Sequence, residues 1–125
     1  MPISDPTDIA GCDLWLHADG TLWQDAARTT PATSNADPVG AWDDASASAA
    51  HMLQAVSGSR PSYRTGVVNG LPVVRFDGSD DFLYNALFAT ATTVSIFAVF
   101  ANHRTVLDAG GEHVDVVWSF NNAGA

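Results

Sequence analysis

The chain has 125 residues and a formal net charge of -9, from 14 acidic side chains against five basic ones. The length allows one hydrophobic core, and the acidic field repels phosphate backbones, which excludes nucleic acid as a partner. A 46% hydrophobic content with four tryptophans excludes a disordered chain, no apolar window approaches the ~20 residues of a membrane-spanning helix, and the single cysteine excludes an internal disulfide or a thiolate metal cluster.

In chain order, "MPISDPTDIAG" has neither a basic start nor a long apolar run, so no signal peptide is expected, and residues 1–12 read as an arm ahead of a domain at 13–125. Cys12 reads as a small hydrophobe rather than a nucleophile. Residues Leu14 to His17 alternate apolar and polar and then meet Asp19-Gly20, which predicts a strand entering a tight turn. Residues 24–53 read as an irregular or short-helical insertion: "TTPATSNADPVG" is a loop, and "AWDDASASAAHML" fits either irregular structure or a short helix capped by Asp44 or Ser46 and running to Leu53.

Beyond "SGSRPSY", where Pro61 sets an extended entry, the pattern changes to short β-branched and aromatic runs: "LPVVRF", "DFLYNALF", "TTVSIFAVFAN", "RTVLDA" and "VDVVWSF". In "TVSIFAVF", Val94, Ile96, Ala98 and Phe100 share one face, while Ser95, Phe97 and Val99 share the other. Both faces are largely apolar, which predicts a central strand covered on both sides. The fold class expected is all-β, a sandwich.

The order "LWLHAD", "VGAWDDASASAAHMLQA", "SRPSYRTGVVNGLPVVRFDGSDDFL", "VSIFAVF" resembles the amino-terminal part of a LamG-like, concanavalin A-like jelly-roll domain, over about Asp13 to Phe100. Such domains recur in bacteriophage structural proteins and bacterial extracellular proteins. The most specific pieces are "RPSY" and "NGLPVVRFDGSDDFL". The chain departs from the pattern at His17, where family members often carry an acid, and at Ala45 to Ser48, where they often carry a "SGNG" turn. The chain is shorter than a complete jelly roll of this family, so the resemblance implies either a fragment or a sheet completed by a neighbouring chain.

The stretch after the loop is dense in turn signals. Asn69-Gly70 and Asp77-Gly78 both tolerate positive φ, and between them Val74 and Phe76 are expected to face one way and Val73 and Arg75 the other. Arg75 is placed to pair with Asp77 or Asp81 in a plain structural hairpin. Alternatively Asp77, Asp80 and Asp81 form a calcium site, since "DGSDD" offers three carboxylates, a hydroxyl and backbone carbonyls, and related sandwich domains often hold calcium at loop ends.

Concanavalin A-like folds also host glycosidases, which set two carboxylates across a sugar, but the one glutamate, Glu112, lies in a turn-like "DAGGEHVD", and no catalytic residue is assigned. His17, His51, His103 and His113 lack a metal-ligand spacing. Trp15 and Trp118 sit in strand-like runs and are expected in the core, whereas Trp23, Trp42, Tyr63 and Tyr84 are the candidates for stacking on a sugar ring. The expectation is a non-enzymatic structural or binding module of a virion surface (capsid decoration, tail fibre or spike). Its partners would be other virion proteins, copies of itself or a cell-surface glycan, with no membrane insertion. The alternatives are an extracellular calcium-dependent lectin and a glycoside hydrolase fragment.

Overall fold

The computed structural model describes residues 4–85 and 95–101, and the chain divides into two compact units, Met1–Asn85 and Ala86–Ala125. The first unit holds two antiparallel sheets, with no α-helix among the described residues. One sheet joins three two-residue strands, β1 (Leu22–Trp23), β2 (Ala41–Trp42) and β3 (Met52–Leu53), in sequence order. The other is a hairpin of β4 (Ser62–Val68) and β5 (Leu71–Arg75). Isolated bridges Trp23 to Pro31, Pro38 to Ser62 and Leu53 to Tyr84 tie the loops to these strands.

The hairpin follows from local chemistry. Val68 pairs with Leu71 across Asn69 and Gly70, at φ of 51° and 81°, the two positive values that match the right-handed twist of flanking strands. Ser62 opposes Arg75, Tyr63 opposes Val74 and Arg64 opposes Val73. Directly opposed residues share a face, so Tyr63 and Val74 point inward, where both pack against the buried cluster of Leu22, Ala32 and Val39. Trp42 and Leu83 complete that core.

Burying each Leu or Val side chain stabilises by about 1.5–3 kcal/mol, and a core this small leaves much of the ordering to polar groups. Asp44, Ser46 and Gln54 are accordingly buried and satisfied. Gly40 permits the closest backbone approach: a Cβ there would stand 2.6 Å from the Cα of Asp25. Its N–H donates to Trp23 O and its carbonyl accepts from Gln54 N–H, both at 2.8 Å, so the loop ahead of β2 is held from two sides.

Four expectations are corrected. Residues Leu14 to His17 form no strand, and the first strand comes after the turn, at Leu22; the turn itself forms, with Gly20 N–H donating to His17 O at 3.0 Å. Of the two readings of Asp44 to Leu53, the helical one falls and the irregular one holds up to the strand at Met52. The Asp44 carboxylate gathers donors from three parts of the chain, Ala49 takes a φ of 51°, which ends any helical path, and Met52 and Leu53 join β2 as a strand.

The third correction concerns Ser95 to Ala101, which carries no strand and is exposed, with Phe97 at 97% and Val99 at 102% of full exposure. A strand buried on both faces needs neighbours for its edges, and among the described residues none pairs with this segment. Finally, Arg75 makes no ion pair among the described residues, because the carboxylates of Asp77 and Asp81 are turned back onto their own loop. The runs "RTVLDA" and "VDVVWSF", with Val94, His103, Glu112, His113 and Trp118, lie outside the described residues.

Candidate functional site

Among the described residues a dense polar constellation lies on the turn that follows β5. Gly78, at φ of 74°, lets residues 77–81 curl so that Asp77 Oδ1 accepts the N–H groups of Ser79, Asp80 and Asp81 at 2.8, 3.3 and 3.4 Å. Asp81 Oδ2 returns the contact by accepting Asp77 N–H at 2.9 Å. Asp80 Oδ2 accepts the Ser59 hydroxyl at 3.1 Å, anchoring the turn to the short 3-10 segment Ser57–Ser59. An aspartate opening a turn commonly bonds its own backbone in this way, so the local sequence accounts for the geometry.

The same curl concentrates charge. One carboxylate oxygen from each of Asp77, Asp80 and Asp81 lies within 4.8 Å of the others. The Ser79 N–H holds Asp77 below the usual carboxylate range, against desolvation and with help from the Asp80 and Asp81 N–H groups. Asp81 goes the other way: burial pushes it up, the Asp77 N–H offsets part of this, and the neighbouring anions Asp77 and Asp80 raise it further. A cation at this turn would relieve the repulsion on Asp81, and hard oxygen donors suit calcium among common ions.

Directly after the turn the chain runs along the edge of β3. Leu53 and Tyr84 exchange both backbone hydrogen bonds, at 3.0 and 3.1 Å, while Phe82 N–H donates to Ser59 O and Phe82 O accepts from the Gln54 side-chain amide. Period-two alternation then sends Leu83 into the core and Phe82 and Tyr84 outward. Their rings lie 6.2 Å apart at 37°, with Tyr84 58% exposed.

The other aromatic candidates have structural work. Trp23 is half-buried, and its indole N–H donates to Asp43 Oδ2 at 3.0 Å. Trp42 packs on the core and donates its indole N–H to His17 O at 3.1 Å. Tyr63 also packs on the core. Of the four sugar-stacking candidates, Tyr84 alone is exposed, and Phe82 joins it. Phe82 was legible in the alternation of "DFLYN", given that Leu83 faces inward. Trp15, expected in the core, is half-buried and stacks on the His17 ring at 4.8 Å.

Two residues not singled out by their chemistry organise the surrounding loops. Arg60 donates its Nε to Gln54 O, Nη1 to Gln24 O and Nη2 to Ala55 O, at 2.8–3.1 Å, stapling two backbone segments through three carbonyls, without a carboxylate partner among the described residues. Asp43 binds Trp23 and Arg28, the latter at 3.2 Å. His51 accepts the Asp44 N–H through Nδ1 at 3.1 Å, which makes it a loop brace, and His17 Nδ1 bonds Asp19 Oδ1 at 2.7 Å within its own turn. That bond is the main cause holding Asp19 below the ordinary carboxylate range.

Comparison of the chain with protein-family models, curated proteins and solved structures found no match. Among the described residues no helix is long and apolar enough to cross a membrane.

Proposed function

We propose that the chain is a non-enzymatic structural and binding module of the concanavalin A-like jelly-roll class, working on a virion surface as a decoration, tail-fibre or spike element. The observation that carries this reading is the outward pair Phe82 and Tyr84, on a backbone hydrogen-bonded to β3 and following a hydrogen-bonded acidic turn. Flat rings held in place and open to solvent suit the C–H faces of a sugar or the apolar surface of a neighbouring subunit. The antiparallel sheets and the order of the "RPSY" and "NGLPVVRFDGSDDFL" segments support the class.

The test is a neutral and acidic polysaccharide panel, run with light scattering, on the wild-type chain and on Phe82→Ala/Tyr84→Ala. A binding module retains a glycan or assembles into a defined oligomer, and the double variant loses that property while keeping its melting temperature. Hydrolysis of a panel member, abolished by removing one carboxylate, overturns the non-enzymatic reading.

A second reading, a calcium-dependent lectin of an extracellular protein, is favoured by the three carboxylates of the turn and the upward push on Asp81. It requires stabilisation by calcium of about 2.7 kcal/mol at a hundredfold excess over Kd. A melting temperature indifferent to calcium and chelator removes it.

A further inference from the structure

The β4–β5 hairpin carries a feature of opposite sign. The protein is acidic overall, yet Arg64 and Arg75 have no carboxylate among the described residues, although Arg28 is paired with Asp43 and Arg60 is consumed by three carbonyls. The register puts the two side by side. Arg64 opposes Val73 and Ser62 opposes Arg75, so Ser62, Arg64, Val73 and Arg75 share one face of the hairpin. Tyr63 and Val74 pack inward, which makes the arginine face the outer one.

The two arginines are diagonal neighbours across the strand pair, a relation that sets backbone positions about 7–8 Å apart and lets long side chains reach a common point. The hairpin also orients one of them. The Ser62 hydroxyl donates to Arg75 O at 3.4 Å and accepts Arg64 Nε at 3.2 Å, fixing the Arg64 stem while its terminal nitrogens have no protein acceptor among the described residues. Two guanidinium groups, each a planar fork of donors, match the two oxygens of a carboxylate.

We propose that the outer face of the hairpin, through Arg64, Arg75 and the positioning hydroxyl of Ser62, binds a ligand carboxylate, and that the ligand is a sugar bearing a single carboxylate, such as a uronic acid residue. The sugar identity rests on the binding reading above. The net charge of -9 argues for one charge on the ligand: it repels a polyanion, or a second copy of this chain, many times more strongly than a monoanion, whereas at contact distance the two arginines dominate.

The experiment is a side-chain NMR titration of the full chain, following the arginine Nε–H resonances with glucuronate and, in parallel, glucose and sulfate, at low and at physiological salt. Glucuronate shifts the Arg64 and Arg75 signals saturably and leaves Arg60 in place, glucose does not shift them, and the affinity falls severalfold on adding salt. In Arg64→Gln the Arg75 signal no longer shifts, and in Arg75→Gln the Arg64 signal no longer shifts, while Phe82→Ala/Tyr84→Ala preserves the response of both. Because the arginine signals report on the carboxylate directly, they respond even if the panel finds no neutral glycan. Unmoved arginine resonances overturn the proposal. An equal response to sulfate overturns the carboxylate class, and a concentration-dependent rise in mass that either arginine variant removes assigns the face to a second copy instead.

Discussion

Replacing Asp44 isolates the group on which the loop from residue 43 to 51 depends. Its side chain is buried at 7% exposure and accepts four hydrogen bonds: Oδ1 takes Trp15 N–H and Ser46 N–H, both at 2.8 Å, and Oδ2 takes the Ser46 hydroxyl at 2.7 Å and Ala50 N–H at 2.9 Å. Each bond to an ionised acceptor contributes about 1.5–3 kcal/mol, but the four are not additive, since the loop relaxes and admits water once the carboxylate is gone.

Asp44→Ala, which orphans three backbone donors, is expected to lose about 3–5 kcal/mol, a large share of the stability of a domain whose total is roughly 5–15 kcal/mol. Asp44→Asn keeps one oxygen for Trp15 and Ser46 but turns an NH₂ toward Ala50 N–H, and is expected to lose about 2 kcal/mol. Urea unfolding followed by tryptophan fluorescence gives both values.

The pH dependence has a definite sign. Burial alone would raise the Asp44 carboxyl, but the bonds from Trp15, Ser46 and Ala50 outweigh it and hold the folded-state value below the ordinary one. A depressed folded pKa contributes stability that is present above the unfolded value, about 3.9, and is lost as pH falls through the folded value. Wild type therefore loses this contribution in the acid limb below about pH 4, and Asp44→Asn lacks it throughout. An Asp44→Ala midpoint within about 0.5 kcal/mol of wild type, or an Asp44→Asn acid limb superimposable on wild type, would refute the reasoning.

Gly40→Ala forces a methyl group into the Asp25 backbone and is expected to prevent folding or cost more than about 3 kcal/mol, read as loss of dispersed amide NMR signals; a folded variant with unchanged stability contradicts the close approach. Arg60→Lys keeps the charge but loses the fork that reaches three carbonyls, so a loss of about 2 kcal/mol is expected by urea unfolding, and a neutral outcome would show that charge alone suffices there. Asp81→Asn retains an acceptor for Asp77 N–H while removing an anion from beside Asp77 and Asp80, and is expected to stabilise at neutral pH. Because the folded pKa of Asp81 is raised, wild type carries its penalty above that value and sheds it as pH falls through it, so the advantage of the variant must shrink on acidification; a destabilised variant at neutral pH refutes the repulsion.

What the sequence determined by itself is what short-range physics controls. Asn69-Gly70 and the alternation of "LPVVR" specify the β4–β5 hairpin, its turn and which residues of β5 share a face, because both depend on φ tolerance and side-chain period within a few residues. A turn at Asp77-Gly78 was legible for the same reason, although not its curl, and the hairpin expected there does not form because the chain after it pairs with Leu53 instead of β5; the all-β character of the described residues was legible too. The tertiary structure decided everything that depends on which distant group meets which. Asp44 reads locally as a helix cap, and only the arrival of Trp15 N–H, 29 residues away, shows it to be the hub of a loop. Trp23 and Trp42, flanking a polar insertion, read as exposed, yet Asp43 and His17 O supply indole acceptors that let both settle against the fold. Arg75 lost its expected carboxylates because backbone N–H groups of the turn took them first, a competition between neighbours that a one-dimensional pattern does not rank. Apolar alternation in Ser95 to Ala101 likewise states only that the segment is able to be a strand; a strand exists where another edge completes its hydrogen bonds, and that is a property of the fold.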